Sequence, residues 1–206
     1  MKNFNTINLS KEIKDILLDN GAAAVGFAGL DKIFSSFGKD IKAGISIAIT
    51  LNPEIINKII DGPTLEYYSE YKRANILLSK LGKIAANYLK QNGYKAIELK
   101  PTVDIKQYAD LSTPLPHKTV ATRAGLGWIG KTALFISEQY GSAIRLTSIL
   151  TNLDFELLQE PIISSKCSDC NICVDECPGQ VPTGKKWNSE IRRNDFFDAY
   201  KCRNTA

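Results

Sequence analysis

The chain has 206 residues, 44% of them hydrophobic, which suits one generous domain, or a domain with a small appendage, built around a real core. Lys and Arg total 26 against 22 Asp and Glu, and a formal charge of +4 is too weak by itself to argue for nucleic acid or an anionic membrane. No apolar run approaches the length of about 18 residues that a membrane-spanning helix requires, and the N-terminal Met-Lys-Asn-Phe-Asn lacks an apolar export region. With its thiols read as unpaired, the protein is expected to be soluble and cytoplasmic, with no membrane partner.

Ser10 can cap a first helix whose Ile13, Ile16 and Leu17 form an apolar stripe, and Asn20-Gly21 supplies a left-handed stop. Residues 22–28 and 44–51 are short runs rich in Ala, Val and Ile. The second alternates Ile45, Ile47 and Ile49 with small residues, the pattern of a largely buried strand. A loop with a helical turn is expected over residues 30–42 and a short helix over residues 53–60, after which Asp61-Gly62-Pro63 punctuates the chain. The longest helix is predicted over residues 64–92. Its stripe Ala74, Leu77, Leu81, Ile84, Tyr88 is widened by Leu78, Ala85 and Leu89, so it should lie flat on a sheet or another helix.

Residues 94–99 read as another strand, and residues 101–116, with three prolines, as a long irregular connection of the kind that carries function. A helical stretch beginning at His117 leads into a glycine-rich segment. Residues 132–137 and 142–151 then read as a hairpin of buried strands joined across Tyr140-Gly141. Helices and strands without regular alternation favour an α+β class. A sheet domain is expected over residues 1–157 and a small cluster-binding module over residues 158–206, linked through residues 157–165 with Pro161 and Ser164-Ser165.

Four of the five cysteines stand in Cys167-Ser-Asp-Cys170-Asn-Ile-Cys173-Val-Asp-Glu-Cys177-Pro178, a C-x2-C-x2-C-x3-C-P run. Two-residue gaps let a tight turn aim successive sulfurs at one centre, which is the spacing of a ferredoxin-type 4Fe-4S site. Structural zinc usually pairs two C-x2-C units across a longer loop, and a disulfide cluster needs an oxidising compartment. The fifth, Cys202, is either a further ligand or a free buried thiol.

The second chemical stretch is Ala124-Gly-Leu-Gly-Trp-Ile-Gly-Lys131. Gly125, Gly127 and Gly130 let the backbone approach a bulky partner, Lys131 offers a charge to an anionic group, and Arg123 precedes them. The spacing is not that of a dinucleotide fingerprint, and Gly125 to Thr132 is one residue short of a Walker loop. Without further context a plain glycine turn packed on Trp128 is an equal reading.

Taken together, Pro116-His-Lys-Thr-Val-Ala-Thr-Arg-Ala-Gly-Leu-Gly-Trp-Ile-Gly-Lys131, the apolar run ending Ile149-Leu-Thr151 and the cysteine run resemble the epoxyqueuosine reductase family and its shorter iron–sulfur relatives, over roughly residues 114–178. The resemblance implies a flavin-free, nitroreductase-like α+β domain that binds cobalamin, coupled to a ferredoxin-like module with two 4Fe-4S clusters. Reductive dehalogenases look like more distant kin with the same cofactor pairing. Trp128 and the glycines would then admit a corrin edge or tail, Lys131 or Arg123 would meet its phosphate or amides, and His117, the one histidine, would be an acid or a cofactor contact. Implied partners are a reduced electron-donor protein, a small-molecule cofactor or substrate, and tRNA.

Two departures stand out. An Asp that tRNA-modifying members carry before this helix falls on Leu111, with Asp110 beside it as a substitute, and their Glu-Arg pair falls on His117-Lys118, which implies a rebuilt substrate pocket. Two-cluster members also continue after a lone cysteine into a second cysteine run, whereas here Cys202 stands four residues from the last position. The expectation is one cluster on Cys167, Cys170, Cys173 and either Cys177 or Cys202, or two clusters in a longer chain. The leading reading is an oxidoreductase that passes electrons through this cluster to a cofactor or substrate. The alternatives are a non-enzymatic electron carrier and a tRNA-modifying protein.

Overall fold

The computed structural model describes residues 3–30, 37–103, 111–155 and 159–205, with side chains from residue 8 onward. Four strands form one antiparallel sheet in the order β1 (Ala24–Gly29), β2 (Ala43–Thr50), β6 (Ile144–Thr151), β3 (Ala96–Leu99). Strand alternation sends Ile45, Ile47 and Ile49 of β2 to one face, all at most 2% exposed, and leaves Gly44, Ser46 and Ala48 on the other. Both faces are covered, which is why this strand carries almost no polar residue.

The isoleucine face packs against α1 (Asn3–Asp19) and α3 (Leu65–Gln91) in the main core, with Leu17, Leu78, Leu81, Leu89 and Phe155. Thr64 caps α3 by accepting from Tyr67 N at 3.1 Å. The buried centre of α3 is the row Ala74, Leu78, Leu81, Ala85, Leu89, while Leu77, Ile84 and Tyr88 form its half-buried rim, so the stripe sits rotated from the one read first in the sequence. Helix α1 also differs from expectation. It runs through Ser10, which is buried within it, because Leu9, Ile13 and Leu17 recur every four residues and extend the apolar row before the expected cap. The stop is as expected, with Asn20 Nδ2 donating to Ile16 O and Gly21 at φ +102°. The short helix α2 (Pro53–Ile56) follows β2.

On the opposite face lies α4 (His117–Arg123), packed against β1, β2 and β6 through Val120 and Ala124. Gly26 makes this approach possible, since a Cβ there would come within 2.9 Å of Ala124 Cβ. Of the predicted hairpin a single rung forms, in which Ser137 and Gly141 exchange backbone hydrogen bonds at 2.9 Å. β5 (Phe135–Ile136) pairs backwards with β4 (Trp128–Ile129), and β6 inserts between β2 and β3. Periodicity identifies a strand but not its partner, and a strand apolar on both faces is at home only inside the sheet.

The cysteine-bearing segment has little regular structure: α5 (Ile172–Asp175), a 3-10 turn (Arg193–Asp195) and α6 (Ala199–Thr205). Its anchor is a separate apolar cluster in which Trp187 and Phe196 meet Ile129 and Ala133. The β4–β5 ribbon is therefore the seat on which this segment rests. No described helix is long and apolar enough to cross a membrane.

Candidate functional site

The cysteine run sits on the surface of this small core. Cys170 is exposed and Cys167, Cys173, Cys177 and Cys202 are half-buried, all as free thiols. Asn171 opens α5, so Cys173 lies inside the helix and Cys177 two residues beyond its end. Val181 N points at Cys177 Sγ at 3.5 Å. Helix α6 carries Cys202 and is tied to the loop after Cys177 by Lys201 Nζ, which donates to Gln180 O at 3.2 Å, and by Thr205, whose hydroxyl lies against Gly179. Among the described residues no three Cys, His, Asp or Glu side chains gather at the spacing of a single metal ion. A cube asks for a different arrangement, with each of four thiolates on its own iron around a larger body.

Donors converge on Cys167. Burial works against a Cys167 thiolate, but the Ser165 hydroxyl, the Lys131 backbone amide, the Trp128 indole and the Lys131 charge outweigh it and hold the thiol below its ordinary value. Trp128 Nε1 is buried without a well-formed hydrogen bond among the described residues, although it lies beside this sulfur. A cluster thiolate or sulfide is the acceptor that this orphaned N–H fits.

Lys131 is 4% exposed, and its ammonium donates to Cys170 O at 2.9 Å and Asn171 Oδ1 at 2.7 Å. It thus fastens the glycine-rich segment to the cysteine run. Gly127 explains how the ribbon closes: a Cβ there would lie 2.1 Å from Ile136 O and 2.7 Å from the Phe135 ring. Gly125, at φ +69°, faces Glu160 O and Gln159, and Gly130 faces Ile136. In this structure all three glycines admit neighbouring protein. The Lys166 ammonium stands 5.5 Å from the Trp128 ring centroid and covers it from outside.

A cavity of about 740 Å³ opens between α4 and the C-terminal segment. Its wall is apolar at Ile129, Ile162, Trp187 and Phe196 and cationic at Lys118, Arg123, Arg192 and Arg193. The wall leads to the cysteines through Ser165, whose amide donates to Trp187 O at 2.7 Å and whose hydroxyl accepts from Cys167 N at 3.2 Å. Arg193 Nη1 donates to Leu111 O at 2.9 Å, and Leu111 holds the left-handed φ of +52°. The backbone at Leu111 is thus tied to Arg193 of the cavity wall.

Of the residues singled out from sequence, Arg123 lines the cavity, and burial holds its guanidinium below its ordinary value. His117 does not. Its Nε2 donates to Lys100 O at 2.9 Å, so Nδ1 accepts from the Ser148 hydroxyl at 3.0 Å, and both nitrogens are satisfied against the sheet. Burial, helped by Arg145, keeps the ring below its usual pKa against the pull of the Lys100 carbonyl. Asp110 lies outside the described residues. Lys118 was not singled out as a site residue. The signal was the pair of four-residue spacings Lys118–Thr122 and Thr119–Arg123, which give α4 a polar face opposite Val120 and Ala124.

No family model matches the chain. An epoxyqueuosine reductase of Listeria monocytogenes is 38% identical over 109 residues, covering 50% of this chain and 28% of that protein. One from Lactococcus garvieae is 32% identical over 149 residues, covering 71% and 40%. The chain spans less than half the length of these relatives. An epoxyqueuosine reductase solved with an epoxyqueuosine-modified tRNA stem loop superposes with a TM-score of 0.60 at 20% identity, over 84% of this chain and 52% of that one. A reductive dehalogenase described for B12-dependent dehalogenation superposes with a TM-score of 0.70 at 18% identity, over 94% and 28%. These likenesses extend the sequence relationship to a shared fold of mixed helix and sheet. The chain is a relative of the epoxyqueuosine reductase family, matching part of its members' length.

Proposed function

We propose that the protein is an iron–sulfur oxidoreductase in which Cys167, Cys170, Cys173 and Cys177 hold a 4Fe-4S cluster, in a ferredoxin-like module over residues 158–206, that passes electrons to an acceptor in the cavity beside α4. The observation that carries this reading is the short covalent and hydrogen-bonded link from Cys167 through Ser165 to Trp187 on the cavity wall. The cluster would supply single electrons. This chain supplies its surroundings: the Trp128 N–H at Cys167, the Val181 N–H at Cys177, and Lys131 bracing the loop at Cys170. Cys202, on the helix bound to the Cys177 loop, is the reserve fourth ligand.

Cobalamin is the occupant that the family implies, and the apolar wall of Ile129, Trp187 and Phe196 suits a flat ring. The test is anaerobic purification with iron and sulfide counts per chain, followed by addition of cobalamin. About four irons and altered corrin bands support the enzyme reading. An iron–sulfur spectrum without corrinoid uptake supports an electron carrier, and retention of zinc without iron or sulfide refutes both. Queuosine modification of tRNA is the second reading, favoured by the relatives' names. It requires tRNA binding that exceeds that of other RNA at physiological salt.

A further inference from the structure

Two cations of the cavity wall, Lys118 and Arg123, meet no carboxylate among the described residues. Asp195 is the one carboxylate of that wall, and Arg192 already grips it, Nε to Oδ2 at 3.1 Å and Nη2 to Oδ1 at 3.2 Å. Neither Lys118 nor Arg123 forms an ion pair among the described residues. Among the described residues the Lys118 ammonium donates to Ala133 O at 2.8 Å, although an ammonium has three donors to place. A largely buried cation is costly unless a counter-charge reaches it. Two cations on one wall without a counter-charge among the described residues suit about two negative charges, as a phosphate monoester carries near neutral pH and a carboxylate does not.

We infer that the cavity binds a phosphate monoester of a flat, apolar molecule, as an occupant that excludes a corrin ring from the same wall, its phosphate answering Lys118 and Arg123 and its ring lying against Trp187, Ile129 and Phe196. The biological meaning of this rests on the cavity being the acceptor site of the proposed redox function, but the binding does not require electron transfer.

The test is titration of the full chain, reconstituted anaerobically and kept without reductant, with phenyl phosphate at constant ionic strength, followed by tryptophan fluorescence and melting temperature. Saturable quenching and a rise in melting temperature are expected, with benzoate at least about tenfold weaker and phenol weaker still. Lys118→Met and Arg123→Gln should each weaken phenyl phosphate by about tenfold or more, while Lys80→Met, far along α3, should bind as the native chain does. No saturable response, equal binding of phenol, or unchanged affinity in both variants overturns the inference. If Lys118→Met fails to fold, Arg123→Gln decides. Iron and sulfide counts on the same samples separate the two proposals, because a chain that holds a cluster and ignores phenyl phosphate, or the reverse, breaks only one.

Discussion

The sheet layer and the segment after residue 159 are held together by different means. The sheet buries an apolar cluster against helices on each of its two faces, and Ile45, Ile47, Leu78, Leu81 and Ile149 are fully enclosed. The cysteine segment encloses little beyond Val181, Trp187 and Phe196, leaves Ile163 and Ile172 more than 60% exposed, and has no helix longer than seven residues among those described. Its fixed points are single polar ties, chiefly Lys131 to Cys170 O and Asn171, and Ser165 to Trp187. A region with so few buried apolar contacts needs another source of order, and a metal cluster joining residues on several turns is such a source. The comparison predicts that the sheet folds without a cofactor, whereas the order of the segment would rest on the proposed cluster.

The sharpest way to break this comparison is Cys167→Ala. It should abolish the cluster, with iron per chain falling from about four to near zero, while far-ultraviolet circular dichroism retains the helix and sheet signal. Loss of both signals together would show one cooperative unit. Leu78→Ala should do the converse. Removing a fully buried leucine from α3 is expected to destabilise the sheet layer by about 2–5 kcal/mol, read by urea unfolding, with the iron count unchanged in native buffer.

Lys118 sharpens the boundary between the two regions through pH. Burial, reinforced by Arg193, depresses its ammonium from an ordinary 10.5 to about 8. Between those values the unfolded chain holds a proton that the folded chain has released, so Lys118 makes stability rise with pH across that window. Below about pH 8 both states are protonated and the full cost of the buried charge is present. Lys118→Met should remove this rise and be the more stable chain at pH 7, by at most about 3 kcal/mol. Urea unfolding of both chains from pH 7 to 10.5 checks it, and parallel curves would refute it.

How far the sequence anticipated the molecule follows the same division. Strand β2 and helix α3 were legible because burial on a regular element imposes a period, and Thr64 and Gly21 mark their ends or their neighbours' ends. Cysteine spacing was legible because it is chemistry written locally. Strand pairing was not, since β5 turns back onto β4 only because Gly127 clears a space that no periodicity reports. The roles on α4 were also hidden. His117 looked chemical and is satisfied against Ser148 and Lys100, whereas Lys118, one position on, faces the cavity. A single residue step on a helix, about 100° of rotation, decides between core and site, and only the packing of α4 on β1 and β2 fixes that rotation.

The smallest expected effect concerns the orphaned indole. Trp128 belongs to the β4–β5 ribbon and so to the seat, yet its N–H lies beside Cys167, so it reports on the junction of the two regions. An N–H directed at cluster sulfur stabilises the more negative, reduced state and raises the midpoint potential. Trp128→Phe keeps a smaller aromatic ring at the apolar cluster and deletes the donor. A net hydrogen bond of about 1 kcal/mol corresponds to about 40 mV for a one-electron couple, so the midpoint should fall by up to that amount. Potentiometric titration monitored by electron paramagnetic resonance measures it, with iron content as the control for an intact cluster. A fall with full iron makes Trp128 a tuning residue, while an unchanged potential reduces it to packing. Loss of iron would instead show that the ribbon and the cysteine run are not separable, and would return the comparison to a single cooperative fold.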